Sequence, residues 1–162
     1  MTFELTKKSE PERRTLSKLL PLWSGYANYF DCDSDETTSV VAAETWYKLN
    51  TDTELGFTRN GLSHSNNRIT NTASKAVFRC LGIVSLVSTS AQEIHVAFFK
   101  NGELVPCTEQ DMTTGAGTKV NNVTFGGYIE LNQGDYVEVW VKNESSTADI
   151  TLDNVNVMIE QL

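Results

Sequence analysis

From residue 136 the chain alternates strictly. Val137, Val139 and Val141 fall on one face of an extended segment, and Tyr136, Glu138, Trp140 and Lys142 fall on the other. Gly134 and Asp135 supply a turn just before it. The valine face predicts a core. The opposite face sets a Trp and a Tyr among charges, which suits a surface covered by another subunit, or else the edge of a sandwich with two half-exposed aromatics. Short runs of this kind, separated by clusters of Asn, Gly, Ser and Thr, continue from residue 40 to the end. They predict strands at 40–49, 76–87, 93–100, 119–131, 136–142 and 150–159, with smaller ones at 55–58, 68–70 and 104–107.

Two local signals sharpen this pattern. Asn101-Gly102 follows Ile-His-Val-Ala-Phe-Phe-Lys and predicts a tight hairpin back onto Leu104 and Val105. In the last run Ile150 and Leu152 share one parity while Val155, Val157 and Ile159 share the other, so a bulge is expected at Asp153-Asn154. Gly126-Gly127 marks a second candidate bulge. Many short strands, with no helical pattern after residue 38, predict an all-β antiparallel sandwich. The long connections at 50–72 and 109–118 favour a jelly roll.

The first 38 residues read differently and are expected to form an N-terminal arm, with the domain proper at 39–162. Ser9 and Glu12 make a capping box, Pro11 suits a first turn, and Leu16, Leu19 and Leu20 form an apolar stripe ending before Pro21, which together predict one short helix. Leu22, Trp23, Tyr26, Tyr29 and Phe30 then crowd large apolar groups together. Such a segment must lie on something, either its own domain or a partner. The stretch 31–39 has carboxylates at the first, third and fifth positions of a calcium loop. Glu36 stands where that loop needs Gly, and Ala42 where a bidentate Glu should close it, so the stretch reads as an acidic linker and no metal ligand set is assigned.

The 162 residues carry a formal charge of −8, which argues against a nucleic-acid-binding body. The charge is unevenly spread. Over residues 1–30 Lys7, Lys8, Arg13, Arg14 and Lys18 outweigh Glu4, Glu10 and Glu12, so that stretch is basic and the rest acidic. There is no apolar run long enough for a membrane span and no apolar core of a signal peptide, and the chain is expected to be made in a cytoplasm and not exported by that route. Cys32, Cys80 and Cys107 are expected as free thiols. His64 and His95 come with no nucleophile motif, and no phosphate-binding loop is present, so neither an enzyme nor a cofactor is expected.

Thr45-Trp-Tyr-Lys-Leu-Asn, Asn67-Arg-Ile-Thr-Asn, Phe78-Arg-Cys-Leu-Gly-Ile-Val-Ser-Leu-Val-Ser, Ile94-His-Val-Ala-Phe-Phe-Lys-Asn-Gly, Leu131-Asn-Gln-Gly-Asp-Tyr-Val-Glu-Val-Trp-Val-Lys-Asn and the final strand follow one another in an order that resembles the complement C1q-like and tumour-necrosis-factor-like jelly rolls. The chain resembles more closely the version found in bacteriophage virion proteins, both head decoration proteins and fibre tips. It departs at Cys80-Leu81, where an aromatic often stands. The resemblance covers residues 40–162 and implies a homotrimer formed through one sheet, with Tyr136 and Trp140 as the expected trimer contact. It implies a capsid decoration or cement protein on the virion surface, bound to the major capsid protein. Leu16, Leu19, Leu20, Trp23, Tyr26, Tyr29 and Phe30 are the expected capsid attachment residues. The alternative is a receptor- or glycan-binding tip, with the loops at 63–71 and 113–122 on a host glycan.

Overall fold

The computed structural model describes residues 25–88, 90–115 and 119–162. Their strands, in chain order, are β1 (Tyr26–Cys32), β2 (Thr37–Thr38), β3 (Trp46–Lys48), β4 (Glu54–Arg59), β5 (Leu62–Ser65), β6 (Arg68–Asn71), β7 (Ala76–Ser88), β8 (Glu93–Lys100), β9 (Glu103–Leu104), β10 (Gln110–Thr113), β11 (Lys119–Leu131), β12 (Tyr136–Asn143) and β13 (Ile150–Gln161). They form two antiparallel sheets. The first runs β11-β7-β13-β1-β4 with β2 beside β13; the second runs β10-β8-β12-β6-β5 with β3 beside β12 and β9 beside β8. The expected helix, with Leu16, Leu19 and Leu20, and Trp23 after it lie outside the described residues.

The core lies between the sheets and is built by alternation. Phe78, Cys80, Val84 and Leu86 of β7 face Val96, Phe98, Val137, Val139 and Val141 of the second sheet, and all are buried. The aromatic that the sequence lacks at Cys80-Leu81 comes from the neighbouring strand. Phe125 of β11 lies over Gly82, where any Cβ would collide with its ring, and its centroid sits 4.7 Å from that of Phe98. Burial pushes the Cys80 thiol up to about 12, so it stays protonated and behaves as a small apolar filler.

Several local expectations hold. Asn101 and Gly102 take positive φ values of 52° and 83° at the β8–β9 hairpin, and the β7–β13 register shifts between Leu152 and Asn154, where the parity change required it. Gly126-Gly127 makes no bulge, because the β11–β7 register is unbroken from Lys119 to Leu131. The 40–49 run is strand only over Trp46–Lys48. A turn with Glu44 at φ 59° precedes it, and the Ala42 amide donates to the Tyr47 hydroxyl.

The larger correction concerns the start of the domain. Residues 26–32 form β1, paired along its length with β13 and on its other side with β4, so the sheet reaches well before residue 39. Ala27 and Tyr29 point into the core, with Tyr29 only 2% exposed. Burial pushes its phenol far above the ordinary range. Tyr29 is therefore a core residue and unavailable for attachment, while Tyr26 and Phe30 sit half-buried on the outer face of the same strand. The supposed linker is also partly sheet: Thr37–Thr38 pairs with β13, and Asp31 accepts hydrogen bonds from Thr51 Oγ1 at 2.8 Å and the Asp52 amide at 3.2 Å.

Candidate functional site

Each sheet presents one face to the outside, and the two faces differ in kind. On the second sheet, register brings Trp46, Lys48, Arg68, Phe99, Tyr136, Glu138, Trp140 and Lys142 together. Tyr136 and Trp140 are there, each half-buried against neighbours from other strands. The Arg68 guanidinium lies 4.3 Å from the Tyr136 ring centre, Phe99 stacks on Trp140, and Lys142 Nζ lies 5.2 Å from the Trp46 ring. Glu138, 4% exposed, sits beneath them, with its Oε1 2.6 Å from Lys48 Nζ and 3.4 Å from Arg68 Nε, while its Oε2 accepts from Trp140 Nε1 at 3.2 Å. The face is cross-linked by its own side chains, most of which stay half-buried.

The same face ends in an ionic knot around His95. His95 Nδ1 lies 2.6 Å from Glu109, and Lys142 Nζ bridges Glu109 at 3.5 Å and Glu144 at 2.9 Å. Burial works against the Lys142 charge, but Glu144 and Glu109 outweigh it and raise the ammonium above its ordinary range; Glu144 is lowered in return by the hydrogen bond from Lys142. No hydroxyl or thiol is paired with the imidazole among the described residues. His64 does meet a hydroxyl, with Nε2 3.0 Å from Thr53 Oγ1. That hydroxyl donates its single proton to Asn67 Oδ1 at 2.5 Å, so His64 must donate to Thr53 and cannot act as its base. Asn67 Nδ2 in turn donates to the Thr51 carbonyl. The chain of bonds is a strap from β5 to the residues before β4.

The first sheet has no layer over its outer face among the described residues. One row across the strands carries Gly126, Leu81, Met158, Asn28 and Phe57, and the next carries Thr124, Ile83, Asn156, Phe30 and Glu54. Phe57 is 47% exposed and Ile83 45% exposed. Tyr26, with its ring 6.0 Å from that of Phe57, joins Asn28, Leu81, Ile83, Asn156 and Met158 around a depression of about 240 Å³. Sequence reading singled out Tyr26 and Phe30 as attachment residues but passed over Phe57, Leu81, Ile83 and Met158. The available signal was the run Leu-Gly-Ile-Val-Ser-Leu-Val at 81–87, apolar on both parities where alternation would mark one wet face.

No family model and no curated protein matches the chain. Solved structures do. The crystal structure of murine APRIL at pH 8.0 superimposes with a TM-score of 0.56 at 14% identity, over 86% of this chain and 99% of that one. The same protein at pH 5.0 gives 0.54 at 12% identity, with the same coverage. This is a tumour-necrosis-factor-like jelly roll. At such identity the likeness is one of fold, and the fold agrees with the class expected from the strand order.

Proposed function

We propose that this chain is a structural virion protein, a homotrimeric jelly roll that decorates or cements a bacteriophage capsid and is assigned no catalytic step. The observation that carries this reading is the part-apolar outer face of the first sheet, over which none of the described residues lies. Leu81, Met158, Phe57, Ile83 and Phe30, interspersed with Gly126, Asn28, Thr124 and Asn156 and rimmed by Arg79–Glu160 and Arg59, have the make-up of a subunit contact. Covering a half-exposed Phe or Ile contributes about 1 kcal/mol each, so a handful of such positions from each partner is enough to favour assembly. The threefold contact is accordingly assigned to the face around Leu81 and Met158. Tyr136 and Trp140 are not retained in that role, since their rings are already occupied by Arg68 and Phe99.

The virion assignment rests on the resemblance of the strand motifs to phage decoration proteins. Attachment to the major capsid protein is assigned to the segment before Gly25, with Leu16, Leu19, Leu20 and Trp23 as its apolar groups. Light scattering on the intact protein should give a trimer, and Leu81→Asp, which buries a charge in the contact, should give a folded monomer. A monomeric intact protein at micromolar concentration overturns the trimer. Failure of the trimer to bind capsids that lack it overturns the decorating role.

A further inference from the structure

A second concave feature lies at the end of the sandwich where the β8–β9 hairpin and the β11–β12 turn come together, beside the edge of the first sheet's outer face. It is a cleft of about 560 Å³, within the range of sites that hold a small ligand. Its walls are fixed. Asn101 Nδ2 donates to Asp135 Oδ1 at 2.8 Å, Asn101 Oδ1 accepts from the Tyr136 amide at 2.9 Å, and Lys100 Nζ reaches Asp135 at 2.9 Å and the Glu130 carbonyl at 2.7 Å. These bonds tie one turn to the other, so the cleft is shaped before anything enters it, which lowers the ordering cost of binding.

The groups left over define the ligand. Tyr128 is 69% exposed, on an edge strand, and its ring touches no other ring among the described residues. Leu104, also exposed, lines the cleft with it. Glu103 has a carboxylate with no partner among the described residues. Lys100 is already engaged, so an anion would meet carboxylate and no free cation. An open aromatic face, an apolar neighbour and an acceptor for hydroxyl donors together match a flat ring with one face of C–H groups and an edge of hydroxyls.

We propose that this cleft binds a pyranose sugar, its C–H face on Tyr128 and its hydroxyls donating to Glu103. The cleft opens at the rim of the first-sheet contact around Leu81, since Tyr128 pairs with Arg79 on the same outer face. It also differs from the loops at 63–71 and 113–122, which the sequence offered for a glycan. The full chain, fluorescently labelled, is applied to a printed array of bacterial-surface and animal-cell glycans. At least one glycan should be bound, and both Tyr128→Ala and Glu103→Gln should weaken that binding at least about tenfold, while Ser63→Ala leaves it unchanged. Both altered positions are exposed, and thermal melts identified with the unaltered protein's will show that the fold is kept. The proposal is overturned if the intact protein binds no glycan, or if the Tyr128 and Glu103 variants bind as well as it does. Displacement of a bound glycan by arginine and by no sugar overturns it too, since the cleft would then be a cation site.

Discussion

The indole of Trp140 lies flat on the ring of Phe99, with 4.5 Å between centroids and 12° between planes. The two residues stand on adjacent strands of the second sheet, β12 and β8, with Trp46 edge-on to Phe99 at 5.2 Å. The stack works as an outer core on the side of the sheet that faces away from the main one. Trp140→Ala should therefore cost about 3 kcal/mol in urea unfolding and leave the oligomer unchanged in light scattering. Loss of the trimer with little change in unfolding would return Trp140 to the subunit contact.

Acid should weaken the fold in two separate windows. Burial lowers the pKa of His64 from its ordinary 6.5. The unfolded chain then takes up that proton first, so the stability contributed by the neutral imidazole is complete above about 6.5 and is lost as pH falls through the folded value. Asp135 is held far below its ordinary 3.8 by hydrogen bonds from Asn101, then Lys100 and the Asn132 amide. Its contribution is complete above 3.8 and is lost only below that. Urea midpoints measured against pH should show both declines. His64→Gln is expected to remove the upper one and Asp135→Asn the lower.

Truncation should separate arm from body at Gly25. A chain beginning there keeps β1, and its melting temperature should match that of the full chain. A chain beginning at Thr38 loses β1 from between β13 and β4, along with the buried Tyr29. A missing buried aromatic alone costs about 3 to 5 kcal/mol, a large part of a typical domain's stability. Circular dichroism should find this shorter chain unfolded or aggregated.

Asn71 ties two loops that are far apart in sequence. Fully buried, its amide donates to the carbonyls of Ser74, Leu131 and Asn132 at 3.1, 3.1 and 3.2 Å, and its oxygen accepts from the Ala73 amide at 3.1 Å. Asn71→Ala should cost about 2 to 3 kcal/mol through the carbonyls left unpaired. Hydrogen exchange should speed up at Ala73 before it does in β12.

The strands that the sequence displayed best were those whose information is local. Residues 93–100 and 119–131 match β8 and β11 end to end, since each carries its own alternation and adjoins its own turn signal. β1 was hidden because its partner is the last strand. Tyr-Ala-Asn-Tyr-Phe-Asp-Cys puts its largest groups on both parities and its smallest core residue, Ala27, between two of them, so no two-residue rhythm shows. Assigning Tyr136 and Trp140 to a contact was sound as far as composition goes. What composition could not display was that Phe99 and Arg68, from other strands, pack against them and leave each half-buried.

The pairing of β1 with β13 also sets how the domain carries load. Gly25 and Gln161 are joined by two hydrogen bonds, from the Gln161 amide to the Gly25 carbonyl at 2.7 Å and from the Gly25 amide to Gln161 Oε1 at 3.0 Å. Tension between residue 25 and residue 162 would peel this ladder apart one rung at a time, at low force. Tension between residue 25 and the opposite end of the sandwich would instead pull along β1, loading all its rungs on both sides at once. A body tethered through the segment before Gly25 and held elsewhere at its far loops is thus anchored in the direction in which its sheet resists most.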